Sequence, residues 1–65
     1  MRWNDGTDLG SIESTGSLDN KWNFQFLTPD LSKLPTDIAA GSSAIDLNTG
    51  EVYLFHQQTK TWKKV

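Results

Sequence analysis

Hydrophobic and polar positions alternate most regularly in Lys21 to Leu27, KWNFQFL, where single polar residues separate three aromatic ones. Because successive side chains of a strand point to opposite faces, Trp22, Phe24 and Phe26 share one face of a predicted strand over residues 21–27. Aromatic side chains of this size contribute more burial than any other group in the chain. We therefore expect the core to form between this strand and the C-terminal part of the chain.

The C-terminal part predicts a three-stranded antiparallel meander, with strands at about residues 43–47, 51–56 and 61–65. Asn48-Thr49-Gly50 has the composition of a three-residue hairpin loop, and glycine suits its left-handed position. A second loop spans residues 57–60. The expected fold class is all-β: a small antiparallel sheet made of this meander and the aromatic strand, with an extended N-terminal arm.

The loop lengths predict which residues lie opposite each other across the meander: Leu47 and Glu51, Ile45 and Tyr53, Phe55 and Trp62, His56 and Thr61. One face of the sheet would then carry Ile45, Leu47, Tyr53, Phe55 and Trp62. The other face would carry Ala44, Asp46, Val52, Leu54 and Val65. A bulge at Gly50 would shift the pairing by one residue.

Residues 1–20 show neither helical nor strand periodicity and are rich in Gly, Ser, Thr and Asp. We interpret them as an arm, flexible or bound to a partner, that precedes a single small β domain of residues 21–65. The sizeable apolar residues of the arm after Met1 are Trp3, Leu9, Ile12 and Leu18. The arm either folds back over the sheet or docks on another molecule.

Residues 28–41 connect the aromatic strand to the meander. Thr28-Pro29 resembles an N-cap followed by proline at the first helical position, which predicts a single helical turn before Lys33. Gly41 can end a second short turn over residues 38–40.

With 65 residues, 35% of them hydrophobic, and no cysteine, the chain lies near the lower size limit for a domain without disulfides or metal. Association with itself or with a larger partner would add stability. The net charge of −2 is unevenly placed, because acidic residues dominate the first 20 positions and Lys60, Lys63 and Lys64 follow Glu51 with no further acidic residue. This asymmetry suits head-to-tail contacts between copies, or simply reflects two solvated patches.

Candidate chemistry is sparse. His56 is the only histidine, and no cysteine or second imidazole accompanies it as a metal ligand. Asp5-Gly6-Thr7-Asp8 lacks the alternating acidic positions of a calcium loop. We expect no enzyme activity, no cofactor and no metal. The N-terminus lacks the apolar core of a signal peptide, and no segment has membrane-spanning length, so we expect a soluble protein made in the cytoplasm.

Trp62, flanked by Lys60, Lys63 and Lys64, is the only candidate patch for stacking nucleic-acid bases and holding phosphates. The chain is acidic overall, and its aromatic residues are expected to be buried in the core, where they cannot stack on bases. We therefore regard nucleic-acid binding by a small β-barrel as a secondary alternative.

Four stretches resemble a small module of structural proteins of tailed bacteriophages, of the head-fibre, decoration and tail-associated type. They are Leu34-Pro35-Thr36-Asp37, Gly41-Ser42-Ser43-Ala44, Thr49-Gly50-Glu51-Val52-Tyr53-Leu54-Phe55 and Thr59-Lys60-Thr61-Trp62. The resemblance covers about residues 34–65. It implies a non-enzymatic minor virion protein, made in the host cytoplasm, that binds capsid or tail proteins.

A protein of this kind would complete its stability on a larger surface. The residues that we expect to contact the partner are Trp3, Leu9, Ile12, Leu18, Val52, Leu54 and Val65. Alternatively, all of them close the core of a monomer. A small phage-encoded inhibitor that binds one host protein is the main alternative function, because such proteins are equally short, acidic and cysteine-free.

Overall fold

The computed structural model describes residues 1–65 and contains one five-stranded sheet whose strand order follows the chain. The strands are β1 (Glu13–Leu18), β2 (Lys21–Phe26), β3 (Ser43–Asp46), β4 (Val52–His56) and β5 (Thr61–Lys64). A 3-10 helix, Thr28–Lys33, lies between β2 and β3. This architecture confirms the all-β fold class and the C-terminal meander.

The sheet is mixed and not wholly antiparallel as predicted, because β2 and β3 run parallel while the other three neighbouring pairs are antiparallel. Parallel neighbours require a crossover, and residues 27–42 provide it, with Pro29 in the first turn of the 3-10 helix. Leu27, rather than Thr28, occupies the N-cap position of that helix. The Thr28 hydroxyl instead donates to Asp46 Oδ2 at 2.7 Å and connects the start of the crossover to the end of β3.

The predicted register between β3 and β4 is wrong by one residue. Tyr53 lies opposite Ala44, and Ile45 lies opposite Val52. The loop holds four residues instead of three, because the Asp46 carboxylate accepts hydrogen bonds from the backbone N–H groups of Asn48 and Thr49 at 2.8 and 3.4 Å and closes the turn itself. The predicted β4–β5 pairs, Phe55 with Trp62 and His56 with Thr61, are present.

This shift exchanges the faces of β3. Ala44 and Asp46 point into the core, and Ile45 points to the opposite face. Burial alone would raise the pKa of Asp46, but hydrogen bonds from Thr28, Asn48 and Thr49 lower it below its usual value. The buried carboxylate therefore stays ionised and fully bonded at the end of the strand.

Part of the predicted arm belongs to the sheet. Residues 13–18 form β1, which pairs with β2 through a turn at Asp19 and Asn20, with φ values of 51° and 63°. Both residue types tolerate this left-handed conformation, which two-residue hairpin turns require. A bulge between Ser14 and Gly16 interrupts the pairing along β1. The strand reads ESTGSL, with Leu18 as its one large apolar residue, so the sequence shows no hydrophobic period there.

Residues 1–12 fold back over the sheet, which is one of the two arrangements predicted for the arm. They form a tight loop in which the Trp3 N–H donates to the Thr7 carbonyl and the Leu9 N–H donates to the Met1 carbonyl, both at 2.8 Å. The loop turns its apolar side chains toward the sheet. Together with the crossover it covers a core of Trp3, Leu9, Ile12, Phe24, Phe26, Leu34, Ile38, Ala44 and Phe55.

Phe24 lies at the centre of an aromatic cluster that joins the arm to β5. Its ring stacks on Trp22 at a centroid distance of 5.9 Å and meets the edges of Trp3 and Trp62 at 5.9 and 6.2 Å. Trp3 also packs edge-on against Trp22 at 4.8 Å. The Trp3 indole N–H donates to Asp37 Oδ1 at 2.8 Å, so the arm is fixed to both the sheet and the crossover.

A second polar contact holds the arm at the 3-10 helix. Asp30 accepts hydrogen bonds from the Ser11 hydroxyl at 2.6 Å and from the Ser11 N–H at 2.9 Å, and it pairs with Lys33 at 3.2 Å. The Ser11 hydroxyl also accepts the Leu27 N–H. The carboxylate lies so close to Gly10 that a Cβ there would meet it at 2.8 Å, and Gly10 has a φ of 64°.

We expect Trp3→Ala to destabilise the protein by about 3–5 kcal/mol, because it removes a buried aromatic side chain and leaves a cavity above Phe24. The core of a domain of this size rarely supplies more than about 3–5 kcal/mol, so a large fraction of the variant should be unfolded in water. Urea unfolding followed by far-UV circular dichroism measures the loss. Leu18→Ala is the control, since Leu18 is 75% exposed, and an unchanged midpoint for Trp3→Ala would contradict the packing of the arm.

Acid should destabilise the protein through Asp30. The hydrogen bonds from Ser11, followed by the contact with Lys33, lower the pKa of Asp30 from 3.8 to about 2. The ionised group therefore stabilises the folded state above pH 3.8, and this contribution is lost as the pH falls toward about 2. Urea unfolding of the wild type and Asp30→Asn across this range measures the effect. The variant should show the shallower pH dependence, and parallel curves would exclude this role for Asp30.

Candidate functional site

The face of the sheet opposite the core, which we call the open face, is covered by no other segment of the chain. Three aliphatic side chains on β3 and β4 point to it by register, and Ile45, Val52 and Leu54 are 38%, 38% and 45% exposed. Val65 continues this surface, because its backbone N–H donates to the Val52 carbonyl and places it beside β4. We call these four residues the apolar stripe.

The register arranges the open face in rows across the strands. One row reads Glu13, Gln25, Ile45, Val52 and Val65. The next row reads Gly16, Asn23, Ser43, Leu54 and Lys63. The half of the face on β1 and β2 is therefore polar, whereas the half on β3 to β5 carries the apolar stripe together with Ser43 and Lys63. An exposed, contiguous group of aliphatic side chains with a polar border is typical of a protein-binding surface.

Two cations of the open face have no carboxylate partner within 4 Å. Lys63 follows Leu54 in its row, and Lys21 lies on β2, opposite Leu18. The three ion pairs of the structure involve other cations, namely the Met1 amino group, Lys33 and Lys64. A hydrogen bond from Lys64 to Glu51 at 2.9 Å raises the pKa of Lys64. Glu51 therefore pairs with Lys64 and not with Lys63.

Both edges of the sheet resist the addition of a further strand. The β1 edge carries the bulge between Ser14 and Gly16, which interrupts a regular ladder. The β5 edge carries Lys63 and Lys64, and lysines on an edge strand oppose pairing with another chain. Contact with another protein is therefore favoured at the open face rather than at the edges.

The structure divides the seven predicted contact residues into two groups. Trp3, Leu9 and Ile12 are 8%, 2% and 0% exposed and belong to the core, so they form no exposed contact surface. The exposed group consists of Leu18, Val52, Leu54 and Val65. Leu18 reaches the open face at its β1 corner, because its partner Lys21 alternates with the core-facing Trp22.

Sequence reasoning missed Ile45 as a member of the open face. The error follows from the register, which had placed Ile45 with Tyr53 on the core side. Asp46 was the informative signal, because an Asp two residues before Asn-Thr-Gly is positioned to cap the turn with its carboxylate. Strand pairing then ends one residue earlier and the loop is one residue longer.

The remaining polar groups serve the fold. The buried Ser42 hydroxyl donates to the Ala39 carbonyl at 2.7 Å and accepts the Trp22 N–H at 3.0 Å. His56 is exposed and contacts only the Thr59 hydroxyl through its side chain. The surface shows no ligand-sized pocket, and the structure brings together no group of three or more side chains of the types that bind metal.

The candidate nucleic-acid patch around Trp62 is divided by the sheet. The Trp62 ring packs on Phe55 at 5.3 Å, and its indole N–H donates to the Pro35 carbonyl at 3.1 Å. Lys63 points to the open face, and Lys64 pairs with Glu51. This arrangement disfavours base stacking on Trp62 with phosphate contacts from both lysines.

No protein-family model, no curated protein and no solved structure matches this chain. The resemblance of residues 34–65 to a bacteriophage module therefore stays a prediction. The chain contains no helix with the length and apolar character to cross a bilayer.

Neighbouring residues of β4 should respond in opposite ways to substitution. We expect Leu54→Thr to change the free energy of unfolding by less than about 1 kcal/mol, because Leu54 is exposed and threonine suits a strand. Phe55→Ala should cost about 3–5 kcal/mol, because Phe55 is 3% exposed and packs on Trp62. Urea unfolding of both variants makes the comparison, and a large loss for Leu54→Thr would mean that the open face belongs to the core.

Proposed function

We propose that this chain is a minor structural protein of a tailed-bacteriophage virion that attaches to a capsid or tail protein through its open face. The apolar stripe carries the proposal. It stays exposed although the arm and the crossover have already covered the other face of the sheet. Burying such a surface on a larger assembly supplies stability that a 65-residue domain gains with difficulty from its own core.

The contacts among the stretches that resemble the phage module support a common structural unit. The Trp62 indole binds the Pro35 carbonyl, so the closing tryptophan joins the leucine-proline stretch. Ser42, in the Gly-Ser-x-Ala stretch, accepts the Phe55 N–H on its carbonyl at 2.9 Å. The four stretches therefore lie in one packed unit, and the stripe residues Val52 and Leu54 belong to it.

The chemistry of the polar residues agrees with a binding role. Asp30, Asp37 and Asp46 all accept hydrogen bonds that hold the arm, the crossover or a turn in place. Each carboxylate therefore has a structural partner. The surface left for recognition is the open face, where the exposed groups are aliphatic side chains and lysines.

Quantitative mass spectrometry of purified phage particles from the producing culture tests the proposal. We expect peptides of this chain at a fixed molar ratio to the major capsid protein, equal to one or to a simple fraction set by capsid or tail symmetry. Absence from the particle, with the chain present in the lysate, would reject the virion role and favour the inhibitor of a host protein.

Variants connect this measurement to the open face. Val52→Lys adds a charge within the apolar stripe, whereas Thr36→Lys adds the same charge to an exposed position of the crossover on the other side of the sheet. The Val52 variant should lose its place in the particle, and the Thr36 variant should keep it. Circular dichroism of both purified chains confirms that they fold. Equal incorporation would show that the open face is not the attachment surface.

A further inference from the structure

The charges of this acidic chain are divided between the two sides of its sheet. Asp5, Asp8, Asp30 and Asp37 belong to the arm and the crossover, which cover the core face. The open face carries Lys21 and Lys63, neither of which has a carboxylate within 4 Å. Glu13, the acidic residue of that face, lies at the β1 edge and is 3.8 Å from the Met1 amino group. The face that exposes the apolar stripe therefore has the opposite sign to the whole chain.

This division disfavours a second copy as the occupant of the open face. Two copies packed face to face would bring Lys21 and Lys63 of each into one interface, with too few carboxylates to neutralise them. Head-to-tail stacking would satisfy the charges but would place the stripe against the arm and the crossover. Of the large exposed apolar residues, Leu27 alone belongs to the crossover and none belongs to residues 1–12, so the stripe would lie on a largely polar surface.

We infer that the open face binds a different protein, whose contact surface is apolar at its centre and bordered by carboxylates that pair with Lys21 and Lys63. The inference rests on the proposed function, since it specifies the chemistry of the surface to which the chain attaches. Lys21 and Lys63 lie three strands apart in the sheet, so at about 4.8 Å per strand their Cα atoms are roughly 15 Å apart. The carboxylates of the partner flank its apolar centre at a similar spacing. Charge complementarity sets orientation, and burial of the stripe supplies most of the affinity.

Photo-crosslinking in the producing culture tests this inference. The photoreactive residue benzoylphenylalanine replaces Leu54, at the centre of the face, and in a control chain it replaces Thr36, on the crossover. Both chains are also made with Lys21→Glu and Lys63→Glu. These two lysines are exposed and form no ion pair in the structure, so the substitutions should leave the fold intact, which circular dichroism checks.

We expect the Leu54 probe to link the chain to one other protein, at a peptide that contains or adjoins Asp or Glu residues. The double lysine substitution should lower the yield of this product at least about fivefold, and replacing the partner's carboxylates with lysine should restore it. A product that contains only a second copy of the chain would overturn the inference. The inference would also fall if the yield were the same with and without the two lysine substitutions. It would fall too if the Leu54 probe gave no more cross-linked product than the Thr36 probe.

The same experiment separates the inference from the proposed function. If the cross-linked protein belongs to the particle and the yield depends on the lysines, both stand. If it is a host protein absent from the particle and the yield depends on the lysines, the virion role is rejected and the inference on the partner's surface stands. If the cross-linked protein belongs to the particle but the yield is unchanged by the lysine substitutions, the virion role keeps its support and the inference falls.

Discussion

The packing of Trp3 against Trp22 and Phe24 is the contact on which the rest of the structure depends. A five-stranded sheet built from so short a chain has two faces, and the chain holds enough apolar residues to cover one of them. Trp3 provides that cover from the arm, at 4.8 Å from Trp22 and 5.9 Å from Phe24. Because the arm and the crossover are both committed to this face, nothing in the chain is left to cover the other. The exposed stripe is therefore a direct consequence of how the core is closed.

Carboxylates determine where the covering segments lie. Apolar contacts are not directional, so they do not fix the position of a loop on an aromatic surface. Asp37 fixes the Trp3 indole, Asp30 fixes Ser11, and Asp46 fixes the start of the crossover through Thr28. Because the groups that hold the arm and the crossover in place are acidic, they also affect how charge is distributed over the molecule. Negative charge collects on the covered side, and the opposite side keeps unpaired lysines.

The sequence was sufficient to predict what depends on alternation. The aromatic strand, the second hairpin with Phe55 opposite Trp62, and the all-β class follow from periodicity and turn composition. The β3 register was not predicted, because a single side chain, Asp46, lengthens the loop by bonding to its backbone. β1 was missed because it is polar up to Leu18 and exposed along most of its length, so it carries no hydrophobic period. Of the residues predicted to contact a partner, Leu18, Val52, Leu54 and Val65 are exposed, whereas the burial of Trp3, Leu9 and Ile12 depends on distant contacts that no local pattern reveals.

The position of Trp3 in the core also bears on the order in which the molecule folds. The hydrogen bond between Trp3 and Asp37 joins residues 34 positions apart, whereas the hairpins β1–β2 and β4–β5 form from neighbouring residues. Closing a long loop before its contacts can compensate for the lost chain entropy slows folding, and hairpins form within microseconds. The arm precedes the sheet along the chain, so during synthesis it has to wait for the sheet on which it docks. Until then the aromatic rings of both segments are open to solvent, and this interval is when the chain is most exposed to aggregation or to capture by a chaperone.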